Sequence, residues 1–126
     1  MIRMNICISA VAVLAIAMSN PIVVSAHSFP ESQTPSAGQK VSSAPAEVTI
    51  NFDAPIEKLF AKLEVMGADG KNEAAAAPQV SDDGRRLSVK VGALKPGDYT
   101  VKWAVVCIDT HHTEGSYTFS VASGGS

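Results

Sequence analysis

The stretch Trp103-Ala104-Val105-Val106-Cys107-Ile108-Asp109-Thr110-His111-His112 decides the fold. Side chains alternate across a strand, so Trp103, Val105 and Cys107 face one way while Ala104, Val106 and Ile108 face the other. Apolar residues at both parities predict a central strand covered on both sides, as in a sandwich. The run then ends in Asp109-Thr110-His111. If the backbone stays extended, period two places the Asp109 carboxylate and the His111 imidazole on one face. The chain has only 3 histidines, and two of them lie here.

The third, His27, gains its meaning from what precedes it. Met1 to Ala26 reads as a secretory signal peptide. Arg3 supplies the positive start, Ile6 to Met18 an apolar run short for a bilayer, and Val24-Ser25-Ala26 a cleavage site. Cleavage after Ala26 makes His27 the first residue of the mature protein. The chain therefore divides into a signal peptide, residues 1–26, and one domain, residues 27–126. The mature protein is expected outside the cytoplasm, with no membrane insertion after cleavage.

Removing 26 of the 126 residues leaves 100, enough for one domain with one core. Arg3 is the only charged residue lost, so 10 basic residues become 9 against 12 acidic ones, and the net charge moves from −2 to −3. A mildly acidic domain without a basic stripe is not a nucleic-acid or anionic-lipid binder. Cys7 leaves with the signal, so Cys107 has no partner for an intramolecular disulfide, although the compartment permits one. Met66 is the only methionine that remains.

Turn residues punctuate the rest at intervals near ten residues. His27 to Pro35 is weak evidence for an edge strand, and Ser36 to Pro45 is a loop. Val48, Ile50 and Phe52 alternate with Thr49 and Asn51 in a half-buried strand. Lys58 to Val65 reads as another strand, with Leu59, Ala61, Leu63 and Val65 on one parity and Phe60 as the exception. Gly67-Ala68-Asp69-Gly70 and Ser81-Asp82-Asp83-Gly84 are turns. Ala74 to Ala77 has helix propensity but meets Pro78 at once, so a loop with one turn at most is expected. Leu87, Val89 and Val91 mark a strand. Pro96-Gly97 turns the chain into the long strand from Tyr99, His111 to Gly115 is a loop, and Tyr117, Phe119 and Val121 form the last strand. Six or seven short strands of this kind predict an all-β, antiparallel Greek-key β-sandwich. No repeat, dinucleotide-binding fingerprint, P-loop or nucleophile elbow is present.

Asp-x-His alone is a frequent chance spacing, and His27 raises its significance. A free N-terminal histidine offers its α-amine and its imidazole Nδ1 to one metal in a chelate ring. With a His111 nitrogen and an Asp109 oxygen, the set is three nitrogens and one oxygen. Such donors in a tetragonal arrangement suit Cu(II), whereas zinc accepts the same donors but prefers a tetrahedron. His112 has the parity opposite to His111 and is expected to be a solvated loop residue. Cys107 is expected to pack in the core, since free cysteine is usually a small buried hydrophobe. Trp103 is the expected core anchor.

The mature chain resembles the CopC family of periplasmic copper-binding proteins over essentially its whole length. The resemblance lies in His27 at the mature start, Thr34-Pro35, the Val48 to Phe52 strand, and Leu94-Lys95-Pro96-Gly97-Asp98-Tyr99-Thr100-Val101. It continues through Trp103-Ala104-Val105, Asp109-Thr110-His111, and Gly115 leading into Tyr117-Thr118-Phe119. It implies a cupredoxin-like, immunoglobulin-like sandwich. It also implies one Cu(II) per mature chain, held by His27, Asp109 and His111, and a role in copper carriage or tolerance without catalytic turnover. An inner-membrane copper transporter of the CopD type is the partner it suggests. Three features depart from the family. A lone Met66 cannot make a methionine-rich Cu(I) loop. Asp53-Ala54 stands where many members carry Glu. Cys107 occupies a position that usually holds a small hydroxyl residue.

Two other readings use the same residues. One is a copper redox enzyme with a histidine brace, like the polysaccharide monooxygenases. Such enzymes work on a flat, often aromatic face, and here most aromatic residues fall at core parity. The other is a metal-free immunoglobulin-like interaction module.

Overall fold

The computed structural model describes residues 28–123. The expected signal peptide and His27 lie outside the described residues. Eight strands follow one another: β1 (Pro30–Thr34), β2 (Lys40–Val41), β3 (Glu47–Phe52), β4 (Lys62–Gly67), β5 (Gln79–Val80), β6 (Arg86–Lys90), β7 (Gly97–Val106) and β8 (His112–Val121). They form two four-stranded sheets, ordered β1-β3-β6-β5 and β2-β8-β7-β4. The chain passes between the sheets at every step except the β5–β6 and β7–β8 hairpins. This is the expected β-sandwich, with one refinement. The two-residue β2 pairs with β8 in parallel, while every other pairing is antiparallel.

Alternation builds the core. Val48, Ile50 and Phe52 from β3, with Leu87 and Val89 from β6, face Leu63, Val65, Val101, Val105 and Phe119 of the other sheet, all buried. Apolar area removed from water is the main favourable term in such an interior. Phe52 and Trp103 meet edge to face across the sheets at 5.4 Å, and the cross-strand partners Tyr99 and Phe119 stack at 5.5 Å. Trp103 is the core anchor, and its indole lies over its cross-strand partner Gly115. A Cβ on Gly115 would stand 2.6 Å from the ring, so only glycine fits there. The Thr34–Pro35 bond is cis.

Tyr117 also faces inward, yet its hydroxyl is buried without a hydrogen-bond partner, and burial pushes the phenol far above its usual titration range. An unpaired buried hydroxyl destabilises. Tyr117→Phe is therefore expected to stabilise the fold by about 1 kcal/mol. Thermal unfolding should register this as a rise of ~4–8 °C in Tm. A fall in Tm would reveal a partner for the hydroxyl.

Three expectations are corrected. Lys58 to Val65 is not one strand: a 3-10 turn spans Lys58–Phe60, and β4 begins only at Lys62. The cause is register. Ile56 bridges to Cys107 and Lys62 pairs with Ala104, so the 5 residues 57–61 oppose only 105 and 106. The surplus bulges outward, leaving Leu59 and Phe60 89% and 61% exposed. Secondly, β7 is central in its sheet but covered on one face only. Ala104 and Val106 are half-buried, and Ile108 is 61% exposed. Thirdly, the expected loop from His111 to Gly115 is mostly strand, because the β7–β8 ladder continues to Val106 opposite His112. Ala74 to Ala77 forms no helix, and Ala74 bridges to Val91. Among the described residues, no helix is long and apolar enough to cross a membrane.

Candidate metal centre

The β7–β8 connection is a tight turn, and it carries both described candidate ligands. Thr110 N–H donates to the Cys107 carbonyl at 2.8 Å, and Cys107 N–H donates to the His111 carbonyl at 2.8 Å. Thr110 takes φ +74°, the left-handed region that non-glycine residues seldom occupy. The extended backbone assumed from the sequence is thus absent, yet Asp109 and His111 still meet. Asp109 Oδ1 accepts from the His111 N–H at 3.2 Å, and Asp109 Oδ2 lies 3.0 Å from His111 Nδ1. Both side chains remain partly open to solvent.

This contact defines the chemistry available to the imidazole. When Nδ1 carries the proton and donates a hydrogen bond to Asp109, the lone pair that binds a metal is on Nε2. A carboxylate orienting a metal-binding imidazole in this way is a common device, and it also raises the basicity of the donor nitrogen. Asp109 has about four lone-pair sites, so accepting from His111 leaves capacity for a metal.

His112 points elsewhere. It opens β8 opposite Val106 and lines a shallow apolar groove with Leu59, Phe60 and Ala104 on the outer face of the sheet. It is exposed, as expected, but belongs to β8 and not to a loop.

The start of the described chain is held at this same end. Ser28 is fully buried, and each of its polar groups has a partner. Its N–H donates to Cys107 Sγ at 2.9 Å, its Oγ to the Pro55 carbonyl at 3.1 Å, and its own carbonyl accepts from Thr113 Oγ1 at 3.1 Å. Phe29 follows, donating its N–H to Asp53 Oδ1 at 2.8 Å and accepting from the Asp53 N–H at 2.9 Å. His27 directly precedes Ser28 in the sequence.

Among the described residues, no group of three or more His, Cys, Asp and Glu side chains can hold a metal. The described part brings together Asp109 and His111. His27 lies outside it. Sequence reasoning missed the residues that dock the arm: Ser28, Thr113, Asp53 and the sulfur of Cys107. Only the inward parity of Cys107, next to the turn, hinted at any of them. Asp53 uses its carboxylate to hold the arm.

The described residues thus form a two-sheet sandwich with the paired Asp109 and His111 on a turn at one end. The chain belongs to the CopC domain family, whose model matches residues 30–122. It is 38% identical over 114 residues to protein YobA of Escherichia coli (strain K12), covering 89% of this chain and 91% of that protein. It is 31% identical over 110 residues to Copper resistance protein C of Escherichia coli, covering 79% and 86% of the two chains. The crystal structure of CopC from Methylosinus trichosporium OB3b superposes with a TM-score of 0.73 at 29% identity, covering 79% of this chain and 98% of that one.

Proposed function

We propose that the mature chain, residues 27–126, is a periplasmic copper(II)-binding protein that carries, buffers or sequesters copper and performs no catalysis. One Cu(II) is held by the α-amine and imidazole of His27, the Asp109 carboxylate and the His111 imidazole. The observation that supports this most is the docking of Ser28 onto the sulfur that precedes the Asp109–His111 turn. It holds the residue after His27 at the strand end from which the turn carrying Asp109 and His111 leaves. The family relation supplies copper as the metal, and the nitrogen-rich donor set agrees with Cu(II). Delivery to or from an inner-membrane transporter of the CopD type fits a carrier of this size.

Electron paramagnetic resonance of the processed protein with one equivalent of Cu(II) tests the reading. The expected result is a single axial species with nitrogen coupling, saturating at one copper per chain. A mixture of weak sites, or oxygen-only coordination, would overturn it. Ascorbate-driven peroxide production well above that of free copper would favour the redox-enzyme alternative.

A further inference from the structure

Cys107 joins both halves of the candidate centre. Its backbone closes the turn: the N–H donates to the His111 carbonyl, and the carbonyl accepts from the Thr110 N–H, each at 2.8 Å. Its side chain faces the opposite way, into the interior, and is 1% exposed. There Sγ accepts the Ser28 N–H at 2.9 Å. That N–H belongs to the peptide unit linking His27 to Ser28. A peptide unit is planar, so directing its N–H also directs the bond to the His27 Cα.

The other arm contacts act further along the chain or on other atoms. Ser28 Oγ and the Ser28 carbonyl lie beyond the Ser28 Cα, and Asp53 holds Phe29. They hold the arm at atoms beyond that peptide unit. The bond to Cys107 acts on the unit's own N–H.

We propose that Cys107 is a positioning residue: its sulfur orients the peptide that carries the N-terminal histidine and registers it against Asp109 and His111. The role deepens the copper reading given above and rests on it. The thiol acts as a hydrogen-bond acceptor and not as a copper donor. Cys107 packs in the core as expected, and the hydrogen bond adds a reason for a polarisable atom at the position. A serine hydroxyl can accept the same bond, although its shorter C–O bond reaches less far. Valine fills the volume but accepts nothing.

The test compares the processed wild-type protein with Cys107→Ser, Cys107→Val and Cys107→Ala. Without metal, exchange of the Ser28 amide hydrogen should be protected in wild type and in Cys107→Ser. It should accelerate at least about tenfold in Cys107→Val, as expected for an amide that has lost its acceptor. With Cu(II), Cys107→Val should bind about 10–100-fold more weakly, the usual cost of losing a group that orients a ligand. Its resonance spectrum should broaden, and Cys107→Ser should restore both properties. Circular dichroism controls for the fold, and Cys107→Ala serves if valine disturbs packing.

Unchanged affinity and spectrum in a folded Cys107→Val or Cys107→Ala protein would overturn the proposal. So would an unprotected Ser28 amide in wild type, a measurement that needs no variant. Loss of binding in Cys107→Ser as complete as in Cys107→Val would make the sulfur a copper donor and also overturn it. A methionine placed ahead of His27 separates the two levels. If that extended protein binds Cu(II) as tightly as the processed one, the amine ligand itself fails. If extension weakens binding but Cys107→Val does not, only the positioning role fails.

Discussion

A methionine placed ahead of His27 is expected to lower Cu(II) affinity by orders of magnitude while leaving the β-sandwich intact by circular dichroism. The extra residue keeps the imidazole and converts the amine into a planar amide nitrogen, a poor donor unless deprotonated. The chelate ring through the amine, Cα, Cβ, Cγ and Nδ1 no longer closes on one metal. N-terminal acetylation removes the same lone pair without adding a side chain, so it should act alike. The fold should not respond, because the first described anchor is Ser28 and its contacts lie entirely downstream of the altered atom. Equal affinity and an identical resonance spectrum for extended and processed protein would show that the amine is not a ligand. The site would then rest on His111, His112 and carboxylates.

The second large effect concerns the turn. His111→Ala should weaken Cu(II) binding more than Asp109→Asn, and His112→Ala should be nearly neutral. Cu(II) prefers nitrogen donors, and His111 supplies one that nothing else on the turn replaces. Asp109→Asn keeps an oxygen that can accept the His111 N–H and costs mainly the negative charge. His112 faces the groove beside Leu59 and Phe60, away from Asp109. Competition titration against a Cu(II) chelator ranks the three variants. A larger loss for His112→Ala than for His111→Ala would mean that the turn rearranges on metal binding and presents the other imidazole.

The strands legible in the sequence are those whose alternation spans at least two periods. Val48-Ile50-Phe52, Tyr99-Val101-Trp103-Val105 and Tyr117-Phe119-Val121 all face the core. Strands β2 and β5 are two residues long, too short to carry a pattern, and only tertiary pairing reveals them. Leu59 misleads because its apolar character fits the parity of Leu63, while the register mismatch around Ile56 and Lys62 ejects it. Ile108 misleads similarly, since its parity says only that it faces away from Cys107, not that anything covers that face. The Asp109–His111 pair was legible for an incomplete reason. Spacing two apart brings the side chains together in a strand, but here an Asp side chain reaching forward two residues does it within a turn. The docking of Ser28 was not legible at all. No local pattern encodes a bond between residues 79 positions apart.

That separation also determines when the arm can dock. Asp109 and His111 stay close neighbours in any conformation of the chain, folded or not. Ser28 meets Cys107 only after 79 residues have been looped and both sheets have closed, because the entropy of a loop that long opposes the encounter until native contacts offset it. On the proposed ligand set, an unfolded chain offers copper two separate pairs of donors, and the folded domain brings all four to one ion. High affinity is then a property of the finished tertiary structure. Partly folded chains leave the metal to molecules that have completed folding.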